Sequence, residues 1–92
     1  MERENPISYE VWYRGMGMGS GYVVRSEGRN IAQSMTFDSV VFSIFDDLSK
    51  QEKPKKIEIA TNLNLINGNE GMALEKIVEV YNRMVDLIRK NI

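Results

Sequence analysis

Residues Tyr13–Arg25 read "YRGMGMGSGYVVR", with glycine at positions 15, 17, 19 and 21. Such a run can serve either of two local structures. A glycine loop that cradles a phosphate lies between a strand and a helix N-terminus, whose free amides and dipole face the anion. A glycine corner between two strands supplies positive φ at little steric cost and leads into more strand. Here the glycines are followed by Tyr22, Val23, Val24 and Arg25, an aromatic and β-branched segment that reads as strand. Neither G-x-G-x-x-G nor G-x-x-x-x-G-K-[ST] occurs. The run therefore predicts a hairpin corner.

Working outward, Ile7, Tyr9, Val11 and Tyr13 alternate with Ser8, Glu10, Trp12 and Arg14, the period of two expected of a strand. "GYVVRSEG" is the second strand, ending in the turn "SEGRN", and "NIAQSMTF" is a shorter third. Strands joined by glycine-bearing turns predict an antiparallel meander. The period changes at Asp38. Val40, Val41, Ile44, Phe45 and Leu48 share one helical face, with Asp46 and Asp47 on the outer side. Thr36, Asp38 or Ser39 is placed to cap that helix. "KKIEIATNLNLING" returns to a period of two through Ile57, Ile59, Thr61, Leu63 and Leu65, with strand pairing expected to stop near Thr61. "NGNEG" is read as a break, and a last helix as Met72 to Lys90. The expected fold is α+β in the order β-β-β-α-β-α: an antiparallel meander, one further strand and two helices packed on the sheet, in a single domain over residues 1–92.

Composition narrows the chemistry. The chain has no cysteine and no histidine, which excludes disulfides, zinc sites of usual composition, cysteine nucleophiles and histidine bases. A net charge of −1 gives no global basic bias towards nucleic-acid phosphates. The one dense basic stretch, Lys50 to Lys56, is interrupted by Glu52 and reads as a solvated loop. No apolar run approaches the roughly 20 residues of a membrane span, and "MERENP" leads into strand rather than into a signal-peptide core. A cytoplasmic protein without membrane attachment and without a bound cofactor is expected.

The last helix carries more apolar surface than a small domain can use. Leu74, Val78, Tyr81, Val85, Ile88 and Ile92 form one stripe; Ala73, Ile77, Val80, Met84 and Leu87 form a second beside it. Together they span roughly 180° of the helix, where a core-facing surface helix commonly shows little more than 100°. Polar residues fill the rest, with Glu79–Arg83 and Asp86–Lys90 at favourable spacing. One stripe packs on the sheet. The other calls for a cover, most simply the same helix of a two-fold mate.

The segments "YEVWYRGMGMGSGYVVRSEGRN", "SVVFSIFDDLSK" and "KKIEIATN" together resemble the first part of the ribonuclease H-like fold, over about residues 7–66. In that family a first strand bears an aspartate and a glycine-rich turn ends in G-Y. Two more strands follow, then a helix with an acidic residue and a strand ending in T-D. The resemblance implies clustered carboxylates holding two divalent metals about 4 Å apart. By position, Glu10 takes the place of the first aspartate, Val40 that of the helix carboxylate and Asn62 that of the T-D aspartate. Valine does not ligate, and asparagine brings no charge to repay a hard cation's dehydration. The resemblance thus implies a scaffold without a complete metal set, with no metal ligand and no catalytic residue assigned.

The reading that follows is a non-catalytic protein-interaction module, homodimeric through Ala73, Ile77, Val80, Met84 and Leu87, and suited to docking onto a larger protein complex. The alternatives are a metal-dependent phosphodiesterase, using Glu10 with Asp38 or Asn62, and a nucleic-acid binder using Trp12, Arg14, Arg25 and Arg29.

Overall fold

The computed structural model describes residues 5–14 and 21–90. The chain is α+β. Its sheet comprises β1 (Ile7–Arg14), β2 (Gly21–Ser26), β3 (Arg29–Ser34) and β4 (Ile57–Thr61), in the spatial order β3-β2-β1-β4. β1, β2 and β3 form the antiparallel meander, and β4 lies parallel to β1. Gly15, Gly17 and Gly19 of the glycine run lie outside the described residues, as does Ile92; Gly21 opens β2 opposite Arg14. The second turn is tight. Glu27 at φ 52° and Gly28 at φ 81° both sit in the left-handed region, as a two-residue hairpin loop of type I′ requires.

The register places Tyr9, Ser26 and Ile59 side by side, and likewise Val11, Val24 and Thr61. These residues share one face with Ile7, Ile57 and Tyr22, because alternate strand residues point the same way. All the helices pack on this face. α1 (Phe37–Ser49) covers β2 and β3 through Val40, Ile44 and Leu48, and Thr36 Oγ1 caps it by accepting from Ser39 N–H at 3.3 Å. The opposite face, carrying Glu10, Trp12, Arg14, Val23 and Arg25, has no helix among the described residues. Asp47 departs from the expected outer position: it is half-buried, and its carboxylate accepts from the Tyr9 hydroxyl at 2.6 Å.

Two helices, not one, follow β4. α2 (Leu63–Ile66) is a single turn, and α3 begins at Gly68 and runs to Lys90, four residues earlier than the spacing predicts. The break read at "NGNEG" is thus confined to Asn67, and Gly68–Gly71 form the first turn of α3. Asn67 explains it: the side-chain oxygen accepts from Glu70 N–H at 3.3 Å and its carbonyl from Gly71 N–H at 3.0 Å. An asparagine cap satisfies amides that a helix start otherwise leaves unpaired. Gly71 is needed where it stands, since a Cβ there meets the Asn64 side chain. β4 ends at Thr61, where pairing is expected to stop; beyond it Leu63 and Leu65 no longer share a face, since they enter α2, with Leu63 buried and Leu65 92% exposed.

Two asparagine carboxamides complete the sheet. Asn62 Oδ1 accepts from Tyr13 N–H at 3.0 Å and Asn62 Nδ2 donates to Tyr13 C=O at 3.1 Å, extending the β4 side of the ladder past the end of the strand. Asn82 of α3 does the same on the outer edge, accepting from Ile57 N–H at 2.7 Å and donating to Ile57 C=O at 2.9 Å. Removing either amide leaves partly buried backbone groups without a partner. Asn62→Ala and Asn82→Ala should each lower the unfolding free energy by about 1–3 kcal/mol in urea titrations. Asn30→Ala, at an exposed position, should stay within about 0.5 kcal/mol.

Candidate functional site

The Asn82–Ile57 pairing sets the rotation of α3 about its own axis. With Asn82 turned to the edge of β4, Leu74 and Val85 are buried and Val78 and Tyr81 pack against the core. The neighbouring stripe turns outward only from Val80 onward: Ile77 packs against the core and Ala73 is half-buried, whereas Val80 is 47%, Met84 52% and Leu87 56% exposed. Ile88, near the end of the first stripe, is itself 43% exposed. The helix also outreaches its support. Its 23 residues span about 34 Å, against about 17 Å for the five-residue β4.

α1 offers little cover. It sits over β2 and β3 while α3 sits over β4, and the Phe45 and Tyr81 rings meet between them with centroids 6.3 Å apart. Alongside that contact runs an apolar groove of about 370 Å³ lined by Phe45, Ala73, Ile77, Val80, Tyr81 and Met84. Phe42, about one turn before Phe45, is 75% exposed. Lys76 and Arg83 stand along the α3 rim, both within 4 Å of Glu79. On α1, Asp38 lies two turns before Phe45 and Asp46 one turn after Phe42. Asp46 pairs with Lys50 at 3.4 Å. The α3 side thus carries Lys76 and Arg83 around Glu79, and α1 carries Asp38 together with the Asp46–Lys50 pair.

The residues considered for nucleic acid do not converge. Arg14 lies opposite Gly21 and Arg25 opposite Glu10, four residues apart along β1, or about 13 Å. Arg29 is on the other side of the sheet, 4.0 Å from Asp47. Trp12 is half-buried and its indole N–H donates to Glu10 Oε1 at 3.2 Å. The residues considered for metal also stay apart. Glu10 faces the open side of the sheet, Val40 is buried on the helix side, Asp38 is exposed on α1, and both polar atoms of Asn62 are engaged by Tyr13. No group of three potential acidic ligands gathers among the described residues.

Two buried hydroxyls tie the helices to the sheet, and the sequence spacing carries no sign of them. Tyr9 donates to Asp47 on α1, and Tyr22 donates to Glu70 on α3 at 2.7 Å. Burial, then the adjoining carboxylate, raises both phenols: Tyr22 is pushed up to about 12, and Tyr9 is shifted further in the same direction.

No helix among the described residues is long and apolar enough to cross a membrane. Comparison of the chain with protein-family models, with curated proteins and with solved structures returns no match.

A tyrosine that ionises near 10 when unfolded and near 12 when folded holds its proton longer in the native state. Its contribution is complete below pH 10 and is lost as pH rises from 10 towards 12. Urea midpoints should therefore fall steeply across that window. Tyr22→Phe should flatten the fall while lowering the neutral-pH stability by about 1 kcal/mol.

Proposed function

We propose that this chain is a non-catalytic protein-interaction module that pairs with a second copy of itself through the α1–α3 face. The observation that carries the reading is the outward stripe of Val80, Met84 and Leu87, of which Val80 and Met84 share a groove with Phe45. A contiguous apolar patch on a small domain is an association surface. The charges beside it favour a second copy as its occupant. In such a dimer a two-fold rotation would bring Lys76 and Arg83 of one copy towards Asp38 and Asp46 of the other, and would do so twice. An isologous interface needs such self-complementarity. The exposed pairs that these residues make within one chain are weak and open to exchange.

The scaffold is read as a degenerate relative of the ribonuclease H-like fold. Supporting this is the element order β-β-β-α-β through Thr61, the order that the resemblance implies. The hydrolytic chemistry of that family is not carried over, because the positions answering to its carboxylates are Glu10, Val40 and Asn62, and they do not share a site. Docking of the dimer onto a larger complex is consistent with the sheet face that carries no helix among the described residues.

Light scattering should report a dimer. Met84→Glu, or Val80→Glu, should raise its dissociation constant by about a hundredfold or more, since each forces a charge into an apolar contact, with circular dichroism unchanged. Lys76→Glu with Arg83→Glu should weaken the dimer, and adding Asp38→Lys with Asp46→Lys should restore it. A monomer at every accessible concentration, or a dimer indifferent to Met84→Glu, overturns the reading.

A further inference from the structure

We propose that the outer edge of β4 takes an extended, lysine- or arginine-bearing segment of a partner protein as a fifth strand. This site is independent of the self-association face and lies on the other flank of α3.

The register decides which backbone groups are available. Ile7 pairs with Ile57, Tyr9 with Ile59 and Val11 with Thr61, and Ile7 N–H donates to Lys56 C=O at 2.9 Å. In a parallel ladder the N–H and C=O of one residue point the same way and alternate along the strand. Lys56, Glu58 and Ala60 thus face β1, while Ile57, Ile59 and Thr61 face outward. The Ile57 rung is closed by the carboxamide of Asn82, which carries the donor and acceptor of a peptide unit. Among the described residues nothing closes the next two rungs, so the N–H and C=O of Ile59 and Thr61 remain open to another strand. Natural edges are usually blunted by proline, lysine or a bulge; "IAT", residues 59–61, has none of these.

These groups border a groove of about 530 Å³ between β4 and α3, with Trp12 and Ala60 on its sheet side and Leu74 and Val78 on its helix side. That volume suits a short peptide. An added strand alternates its side chains between the two walls, both of which offer apolar contact. Each wall also carries an acid, Glu58 on the open side and Glu75 on α3. Neither is in an ion pair with a described residue. The matching segment is extended, alternates apolar with basic residues, and reads the edge through main-chain hydrogen bonds, the recognition mode of strand addition.

Trp12 is the chain's single tryptophan and lines the groove, so its fluorescence reports occupancy. Titration with acetyl-Lys-Val-Lys-Val-Lys-amide should give a saturable emission change and slow hydrogen exchange at Ile59 and Thr61. Acetyl-Glu-Val-Glu-Val-Glu-amide should give neither. Ile59→Pro removes an outward N–H without touching the β1 ladder and, because Ile59 also packs on the core, is compared with Ile59→Ala, which keeps the N–H; the proline alone should weaken binding about tenfold or more. Glu58→Lys with Glu75→Lys, both on the surface, should do the same. The proposal is overturned by no saturable change up to about 1 mM peptide, by equal binding of the glutamate peptide, or by affinity unchanged in both variants. It is also overturned by a dimer that survives Met84→Glu but is lost with Ile59→Pro, because a second copy then holds the edge. Peptide binding to a chain that light scattering shows to be monomeric leaves this proposal standing and removes the dimer.

Discussion

One side chain decides what this protein shows to its surroundings. Asn82 places its carboxamide on both backbone groups of Ile57 and so fixes the azimuth of α3 on the sheet. A helix with about half its circumference apolar has no unique way to lie on a core, because several rotations bury similar area. A polar group that must be satisfied when buried removes that ambiguity. With Asn82 at the strand edge, Leu74, Val78, Tyr81 and Val85 turn inward and Val80, Met84 and Leu87 turn outward. Both surfaces discussed above follow from this: the stripe facing α1, and the length of β4 edge that Asn82 leaves open.

The same device appears at Asn62, where a carboxamide continues the ladder onto Tyr13 after β4 has turned into α2. Each amide stands in for a strand residue where the backbone has gone elsewhere. This lets a five-residue β4 hold an eight-residue β1 and carry a long helix. Further anchors act near the end of α3. Lys56 pairs with Asp86 at 3.0 Å, and Arg89 Nη2 donates to Pro54 C=O at 2.9 Å. The loop before β4 thereby underlies the helix where no strand does. Tyr22 to Glu70 and Tyr9 to Asp47 complete the frame from beneath.

Most of the architecture is legible in the chain because it rests on periodicity. Alternation from Ile7 to Tyr13, the i, i+4 spacing of Val40, Ile44 and Leu48, and the run Ile57–Thr61 each report a buried face directly. What escapes periodicity is what polar side chains do. Asn67 caps α3, so a stretch rich in Gly and Asn becomes helix. Asp47 sits in an acidic pair that looks solvated, yet one of the two is turned towards Tyr9. Leu63 and Leu65 extend the strand period past the point where Thr61 and Asn62 end the strand. Arg14, Arg25 and Arg29 look close along the sequence, but strand geometry sets them on different faces and rungs. The excess of apolar surface on the last helix could be counted from the sequence. Which stripe turned outward could not, since that depended on where one asparagine found its partner.

In the proposed dimer α3 keeps Leu74, Val78, Tyr81 and Val85 within the chain and offers Val80, Met84 and Leu87 to a second molecule. Methyl resonances followed through a dilution series address it residue by residue. In a dimer of this kind the signals of Val80, Met84 and Leu87 move together with concentration while those of Leu74 and Val85 stay fixed. Signals that do not respond to dilution, or that respond equally on both stripes, contradict it.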